Sequence, residues 1–206
     1  MNSRVNSYGE YVCLSADEAY PIPEPKPEYL VLLVSGASAS IGLDKCARIT
    51  AEDKVLITAA AGGAGHIAVQ WAKAAGCYVI GTCSSEEKEK VLKNLGLKGR
   101  LIIVGGISSY KSEDSFLPKL DLSFLPELLL LKSASIHGFR RAEYRDCFAT
   151  YFKFMSESLE KEDLRGVIDN GEKSTGKEFY GLEGIIDGVE YLHSGKSIGK
   201  VIARLC

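Results

Sequence analysis

The spacing of apolar and polar residues changes several times near the start of the chain. Residues 8–14, YGEYVCL, alternate as a half-buried strand does. Residues 21–29 hold four of the six prolines and predict an extended connector, because proline cannot continue a helix. Residues 30–49 have the apolar content of a helix that is interrupted near Ser35 and Gly36, where small residues permit a kink or close packing. One structural unit is therefore expected to end at the connector and another to begin after it.

A strand, a group of small residues, a helix and a second strand follow one another after this segment. The apolar residues at 54–59 predict a buried strand, and residues 66–75 predict a helix that ends at Gly76. Another apolar run begins at once and covers residues 77–83. These four segments close within roughly 30 residues, which is the length of one βαβ unit.

The small residues between the first strand and the helix, AAGGAG at 60–65, fit the dinucleotide-binding pattern G-x-G-x-x-G with alanine in first place. Glycine permits a tight turn, lets backbone amides approach a pyrophosphate at the helix N-terminus, and allows the helix to pack closely on the strand. By itself the group fits an ordinary tight turn equally well. Its place inside a βαβ unit favours dinucleotide binding.

The end of the second strand favours NADP over NAD. NAD-binding proteins place an acidic residue there to hold the ribose hydroxyls, and this residue would repel a 2′-phosphate. In this chain the strand ends at the small, neutral Ser84, and Lys88 follows one helical turn later, where its ammonium group could meet a phosphate. Lys88 is also compatible with a solvated lysine, and Glu86 and Glu87 are contrary features.

Two further strands predict a doubly wound α/β fold with a parallel sheet. They lie at residues 99–106 and 133–139, with a helical segment at about 120–132 between them and a charged, aromatic helix at about 141–159 after them. Ligands bind at the carboxyl ends of such strands. The residues there are Tyr110, Arg140 and Arg141; the alternatives are a loop aromatic for Tyr110 and a surface pair for the two arginines.

Composition narrows the class of protein. The 206 residues are 46% hydrophobic and 25% charged, which fits one ordinary globular core or one core and a fragment of another. The net charge is −2 and the basic residues are dispersed, so no nucleic-acid-binding surface is expected. No apolar run approaches the roughly 20 residues that span a bilayer, and the first residues lack the apolar centre of a signal peptide. We expect a soluble, cytoplasmic protein without a membrane span.

The cysteines and histidines do not predict a metal site. The six cysteines occur singly, with neither a C-x-x-C pair nor a Cys/His cluster, which argues against a disulfide framework and a zinc site. The three histidines are scattered and fit structural or solvent-facing positions better than ligand positions. We therefore expect no metal ligands.

Taken together, these motifs resemble the quinone oxidoreductase-like branch of the medium-chain dehydrogenase/reductase superfamily. The segments that carry the resemblance are AAAGGAGHIAVQ, VIGTCSSEEK, GRLIIVGGIS, KSASIHGF and GLEGIIDGVEYLHSGKSIGKVIARL. The resemblance implies a Rossmann domain beside a GroES-like domain and zinc-free, NADPH-dependent reduction of lipid-like conjugated enones such as 15-oxoprostaglandins. A homodimer is compatible with it, as are peroxisomal or mitochondrial locations, although the chain does not end in the peroxisomal address S-K-L.

The resemblance also implies roles for individual residues. It assigns the pyrophosphate to the turn, the adenosine 2′-phosphate to the end of the second strand, and the nicotinamide to the carboxyl ends of the later strands. The residues concerned are, in that order, Gly62, Gly63, Ala64 and Gly65; Ser84 and Lys88; and Ile107, Tyr110, Phe139, Arg140 and Arg141.

The chain departs from the family pattern in three ways, one of which is Ser40 where a family member has an aromatic residue. Residues 1–34 and 165–206 are expected to be remnants of the GroES-like catalytic domain, of which roughly a hundred residues are absent before Tyr8. Residues 35–164 are expected to form the NADP-binding Rossmann domain without about two βα units, ~60 residues, between 96 and 97. In the strand order 3-2-1-4-5-6 this loss removes one edge strand and the strand between 1 and 5. An inactive, truncated isoform and a structural or interaction protein are therefore alternatives to an enone reductase.

Overall fold

The segment after the proline-rich connector forms the long central helix of the molecule. The computed structural model describes residues 13–16, 19–82, 97–105 and 123–205. Helix α1, Tyr29–Ala47, is continuous and widens to π-helical geometry at Leu32–Gly36 and Gly42–Ala47. A Cβ added at Gly36 would lie 2.9 Å from the Met155 sulfur, so the glycine permits close helix packing. The predicted close packing is confirmed, and the interruption takes the form of π-helical turns.

Helix α1 has the length and composition of a membrane-spanning helix. It contains 19 residues, its mean hydropathy is 1.4, and 61% of its apolar window is buried inside the protein. Such burial is typical of the core helix of a globular protein. The sequence interpretation did not anticipate an apolar segment of this length.

The first βαβ unit is present with slightly different bounds. Strand β1, Lys54–Ile57, pairs in parallel with β2, Tyr78–Gly81, and helix α2, Gly63–Ala74, connects them. Helix α2 begins three residues earlier than predicted, because its first turn is built from the glycine-rich residues themselves.

The second pair of strands is also parallel, and a helix again precedes its second strand. Strand β3, Arg100–Ile103, pairs in parallel with β4, Ser135–Gly138, and helix α3, Leu125–Lys132, precedes β4. After β4 a 3-10 turn at Arg141–Tyr144 leads into helix α4, Arg145–Glu160, so the α-helix begins four residues later than predicted.

The last part of the chain forms a small unit beside α2. It contains β5, Ile168–Asp169, α5, Glu172–Thr175, α6, Gly181–His193, and β6, Lys200–Val201, which pairs in parallel with β5. At the other end, the strand predicted at residues 8–14 lies mostly outside the described residues, and its last two residues, Cys13 and Leu14, are not in a strand.

The main core lies where α1, α2 and α4 meet. Its fully buried side chains include Leu32, Ile41, Ile67 and Met155. Asp44 of α1 joins the three helices, because its carboxylate accepts hydrogen bonds from Trp71 Nε1 at 2.8 Å and from the Tyr151 hydroxyl at 2.9 Å. Burial, with the hydrogen bond to Asp44, raises the pKa of Tyr151 well above its usual range.

The two strand pairs do not join into one sheet within the described part of the chain. There β1 pairs only with β2, and β3 pairs only with β4. Direct pairing of β1 with β3, which would have closed the expected gap, is therefore not found. The two pairs meet at their amino ends, where the Arg100 guanidinium lies 2.9 Å from the Asp53 carboxylate.

One face of the first strand pair is more exposed than a buried parallel strand should be. Leu56 is 42% exposed and its partner Ile80 is 50% exposed, whereas Ile57 is buried. The prediction of a fully buried strand at residues 54–59 is therefore wrong for one face, because helix α2 covers only the other.

Candidate functional site

A tight turn carries the chain from β1 into α2. Ala59 adopts a left-handed conformation with φ of 51°, and the Gly62 amide donates to the Ala59 carbonyl at 2.9 Å. The first amide with a carbonyl partner inside the helix is that of His66, which donates to Gly62 at 3.0 Å. As at any helix N-terminus, the preceding amides have no carbonyl within the helix and are oriented for an anion. The turn thus has the backbone geometry that a pyrophosphate requires.

The glycines of the turn serve packing as well as access. A Cβ on Gly65 would lie 2.1 Å from the Ala59 carbonyl oxygen, and one on Gly63 would lie 3.0 Å from Ser35 Oγ. These two positions hold the helix close to the strand and to α1. At Gly62 the nearest atom would be 3.3 Å away, again the Ala59 oxygen. Gly62 is therefore the position where a side chain disturbs the packing of the turn least.

The turn is also held from the side of the C-terminal unit. The Gly199 amide donates to the Ala61 carbonyl at 2.7 Å, and Gly62 forms a parallel bridge with Gly199. His66 lies within 2.9 Å of the Gly62 carbonyl through Nδ1, and accepts the Val167 amide at Nε2 over 3.1 Å. The sequence offered no spacing or cluster that would single out His66.

A second feature lies at the carboxyl ends of β3 and β4. A cavity of about 330 Å³ opens there and is lined mainly by apolar and backbone groups. The aromatic rings of Phe139 and Tyr144 stack along it with centroids 5.1 Å apart, and Arg140 pairs with Glu143 at 3.1 Å. The remaining lining residues are Ile103, Val104, Gly105 and Gly138.

The turn and the cavity each lie at the carboxyl end of a parallel strand pair. Strands β1 and β3 start side by side at the Asp53–Arg100 pair. The turn follows the carboxyl end of β1, and the cavity lies at the carboxyl ends of β3 and β4, which is where parallel strands hold ligands. The hydrogen bond from the Thr50 amide, with a further contribution from Arg100, holds the pKa of Asp53 below its usual range.

The predicted nicotinamide-side residues are distributed unevenly. Phe139 and Arg140 line the cavity, whereas the Arg141 guanidinium lies 5.5 Å from the ring centre of Phe148 on α4. Tyr144 lines the cavity but was not predicted, because it follows the strand only after a 3-10 turn whose course the sequence pattern does not reveal. The other predicted residues of this group and of the 2′-phosphate site lie outside the described residues: Ser84, Lys88, Ile107 and Tyr110.

Potential metal ligands are dispersed. Over the described ranges, no three His, Cys, Asp or Glu side chains lie together in a way that could hold a metal ion. The described cysteines, Cys13, Cys46, Cys77 and Cys147, are free thiols.

Curated proteins show clear sequence similarity, although no family model matches the chain. Prostaglandin reductase-3 of Mus musculus is 35% identical over 243 positions, which include 97% of this chain and 64% of the mouse protein. A probable quinone oxidoreductase of Leishmania amazonensis is 35% identical over 245 positions, covering 96% of this chain and 70% of that protein. The chain thus spans about 64% of the length of the mouse relative.

The fold is shared with solved reductase structures. The crystal structure of CurA from Vibrio vulnificus in complex with NADPH matches with a TM-score of 0.74 and 20% identity, over 89% of this chain and 67% of CurA. At this level of identity the match shows a common fold. The predicted α/β fold is therefore confirmed.

Proposed function

We propose that this chain, which belongs to the quinone oxidoreductase-like branch of the medium-chain dehydrogenase/reductase superfamily, acts as an NADPH-dependent reductase of conjugated enones. The observation that carries the proposal is that the glycine turn and the apolar cavity each lie at the carboxyl end of a parallel strand pair. A dinucleotide can bind at such ends, with its pyrophosphate at the turn and its nicotinamide at the cavity. The similarity to the mouse prostaglandin reductase supports a reductase activity, and the fold shared with the CurA complex supports NADPH as the cofactor.

The proposed substrate is a lipid-like enone of the 15-oxoprostaglandin type. Support comes from the name of the mouse relative and from the cavity, whose wall is formed by Phe139, Tyr144, Ile103 and Val104. An apolar wall of this kind favours a hydrocarbon substrate. Arg140 and Glu143 stand at the exposed rim of the same cavity.

The positions of the glycine turn and the cavity indicate what the cofactor and the protein would each contribute to the reaction. A bound nicotinamide dinucleotide would supply a hydride to the β-carbon of the enone. The amides of Gly63, Ala64 and Gly65 would hold the pyrophosphate, and Phe139 and Arg140 would border the nicotinamide side. The chain itself would contribute positioning and a dry surface, and a misplacement of ~1 Å can cost about a hundredfold in rate.

We propose that this reaction proceeds without zinc. The scattered cysteines in the sequence and the dispersed ligands among the described residues support this part of the proposal. The partners expected under the proposal are a small-molecule substrate and a second copy of the chain in a homodimer, and the expected location is the cytoplasm.

A second candidate is a chain that binds the dinucleotide without turnover. The observation that favours it is the separation of the β1–β2 pair from the β3–β4 pair in the described part of the fold. The glycine turn and the cavity are then both present, but no strand ladder joins the two pairs within the described residues.

The test uses the purified 206-residue chain. NADPH and NADH are titrated calorimetrically, and oxidation of NADPH is then followed with a 15-oxoprostaglandin and with a simple enone, the product being identified by mass spectrometry. Gly62→Val serves as the control for site-specific binding. Reduction of the double bond with NADPH supports the main proposal, binding without turnover supports the second, and a cooperatively folded chain that binds neither nucleotide contradicts both.

A further inference from the structure

His66 occupies a position that ties the glycine turn to a distant part of the chain. It stands in the first turn of α2, half-buried, with Nδ1 at 2.9 Å from the Gly62 carbonyl oxygen. Its other ring nitrogen, Nε2, lies 3.1 Å from the Val167 amide nitrogen. One imidazole therefore joins the turn before α2 to the segment that enters β5.

These two contacts fix the protonation state of the ring. A carbonyl oxygen can only accept, so Nδ1 must carry a hydrogen and donate it to Gly62. A backbone amide can only donate, so Nε2 must keep its lone pair and accept from Val167. Only the neutral imidazole with hydrogen on Nδ1 satisfies both contacts, and a second proton on Nε2 would break the contact with Val167.

The neighbouring contacts between α2 and this segment do not titrate near neutral pH. Gln70, one turn after His66, accepts the Arg165 amide at 2.8 Å and donates to the Arg165 carbonyl at 3.0 Å. The Gly199 amide donates to Ala61 on the far side of the turn. Among these contacts, only the one from Val167 to His66 depends on a group that changes charge between pH 5 and 8.

We propose that His66 is a positioning residue for the glycine turn and that its protonation releases the Val167 contact, loosens the turn and weakens dinucleotide affinity. This inference rests on the proposed function for its ligand, because it takes the turn to hold the pyrophosphate of NADP. His66 does not itself touch the dinucleotide. It acts by holding the Gly62 carbonyl, and with it the start of α2, against the Val167 segment.

The surroundings of the ring favour the neutral form. Burial lowers the pKa of His66 from its usual value of 6.5, and this effect outweighs the opposing hydrogen bonds to the Gly62 and Gly63 backbone. Charged residues of opposite sign, Arg165 and Asp169, occur on the segment that contacts the ring, and Lys200 occurs on β6, so burial and not the charge of these segments accounts for the lowered pKa. The contact is thus intact at neutral pH and is lost as the pH falls through the lowered pKa.

The first experiment measures the contact without any ligand. Hydrogen exchange of the Val167 amide is followed by NMR between about pH 4 and 8, a range that extends well below the ordinary pKa of histidine, relative to the Ile202 amide, which donates to the Asp169 carbonyl. The relative protection of Val167 should fall roughly fivefold to tenfold in acid, as expected for the loss of one hydrogen bond. In His66→Ala the protection should be low at every pH, and in His66→Gln, whose amide oxygen can accept without titrating, it should not depend on pH.

The second experiment measures NADP⁺ affinity over the same pH range. The ligand's own 2′-phosphate titrates near pH 6, so the quantity compared is the ratio of dissociation constants between wild type and His66→Gln. This ratio should be within about threefold of unity at pH 8 and should rise roughly fivefold to tenfold in acid. His193→Gln, at the end of α6, is the matched control and should leave the ratio to wild type unchanged.

The outcomes separate the inference from the function on which it rests. If the exchange protection of the Val167 amide changes neither with pH nor in His66→Ala, the proposed hydrogen bond to His66 is refuted, whatever binds at the turn. If the protection of the Val167 amide changes with pH as expected but the ratio of NADP⁺ dissociation constants does not, the contact exists and has no role in positioning the turn. A wild-type chain that binds no NADP⁺ at any pH contradicts the proposed function and the positioning role, while the exchange data still decide whether His66 holds Val167.

Discussion

Individual glycines of the turn differ in what a side chain would meet. At Gly65 a Cβ would overlap the Ala59 carbonyl at 2.1 Å, and backbone atoms cannot move away cheaply. At Gly62 the same atom is 3.3 Å away and the backbone is extended, with φ of −79° and ψ of 176°. Substitution at Gly65 therefore acts on the fold, whereas substitution at Gly62 acts mainly on what approaches the turn.

Gly62→Val and Gly65→Ala form a matched pair on this basis. We expect Gly62→Val to keep a cooperative melt with a loss of less than about 1.5 kcal/mol and to abolish measurable dinucleotide binding. Gly65→Ala should cost about 2–4 kcal/mol of stability, because it overpacks the strand–helix junction. Urea melts and calorimetric titrations of both variants check the pair; unchanged affinity in Gly62→Val would make the turn an ordinary connection.

Lys88 carries the predicted choice between NADP and NAD. It lies outside the described residues, so the prediction rests on its place one helical turn after Ser84. One charge-assisted contact with the 2′-phosphate is worth roughly 1.5–3 kcal/mol. Lys88→Ala should therefore weaken NADPH by about one to two orders of magnitude and leave NADH nearly unchanged. Lys90→Ala, two residues further, is the control for a general loss of positive charge, and equal losses for both nucleotides in Lys88→Ala would refute the assignment.

At the level of secondary structure, Asp169 joins most elements of the C-terminal unit. Its carboxylate ends β5 and accepts from the Gly171 and Ile198 amides and from the Ser174 and Tyr191 hydroxyls, at 3.0–3.1 Å. Burial acts to raise the pKa of Asp169, but these hydrogen bonds outweigh it, and the pKa lies below its usual range. The ionised carboxylate thus stabilises the packing of β5, α5, α6 and the entry to β6.

The sign of the pH effect follows from the lowered pKa. The contribution of Asp169 is complete above its ordinary pKa of 3.8 and is lost as the pH falls from there through the lowered value. Asp169→Asn should cost about 1–2 kcal/mol at pH 7, since the group is partly exposed and its hydrogen bonds are screened. The difference from wild type should shrink in urea melts near pH 3.

A control within the same unit is Asp187→Asn. Asp187 forms an exposed pair with Lys177 at 3.4 Å, and such pairs contribute less than about 1 kcal/mol. A loss in Asp169→Asn that is equally large at pH 7 and near pH 3 would show that packing, and not the charge, accounts for the role of Asp169.

The strands and helices could be predicted from the sequence better than the contacts between segments that are distant in the sequence. The strands β1 to β4 and the helix α2 follow from local periodicity and from the glycines that bound them, and these are properties of adjacent residues. The close packing of Gly36 of α1 against Met155 of α4 joins residues far apart in sequence, so this contact could not be predicted from local pattern. His66 and Tyr144 were missed for the same reason, because their partners lie on other segments.

For the molecule as a whole, the main feature is that the two strand pairs are separate in the described part of the chain. In the described ranges β1 and β3 each have one strand partner, which leaves edge groups of both strands without a ladder. The exposed apolar residues Leu56, Ile103 and Val104, at 42%, 39% and 45%, accompany these edges. Exposed edges with apolar neighbours favour aggregation.

The comparison with the mouse relative is compatible with a shorter internal segment. The 243 aligned positions exceed the roughly 200 residues that make up 97% of this chain, so about 40 positions have no counterpart here. The sequence interpretation expected ~60, two βα units at ~30 residues each. The location of the loss between residues 96 and 97, and the assignment of 1–34 and 165–206 to a second domain, stay predictions.

The last prediction concerns whether the 206-residue chain can catalyse the reaction. A strand inserted between β1 and β3 would pair with both edges and fix the distance between the glycine turn and the cavity. We therefore expect the unmodified chain to be marginally stable or prone to aggregate and to show no enone reduction above background, because small displacements of the reacting groups cost about a hundredfold in rate. A variant that carries, between Gly96 and Leu97, the residues that the mouse relative has at this junction should remain monodisperse, melt at higher temperature and reduce a 15-oxoprostaglandin with NADPH. The matched control is a Gly/Ser linker of equal length at the same junction, which restores chain length without a strand. Size-exclusion chromatography, thermal melts and a steady-state assay of the three proteins decide the matter: robust turnover by the unmodified chain, or equal rescue by the linker, would show that the separated strand pairs do not limit function.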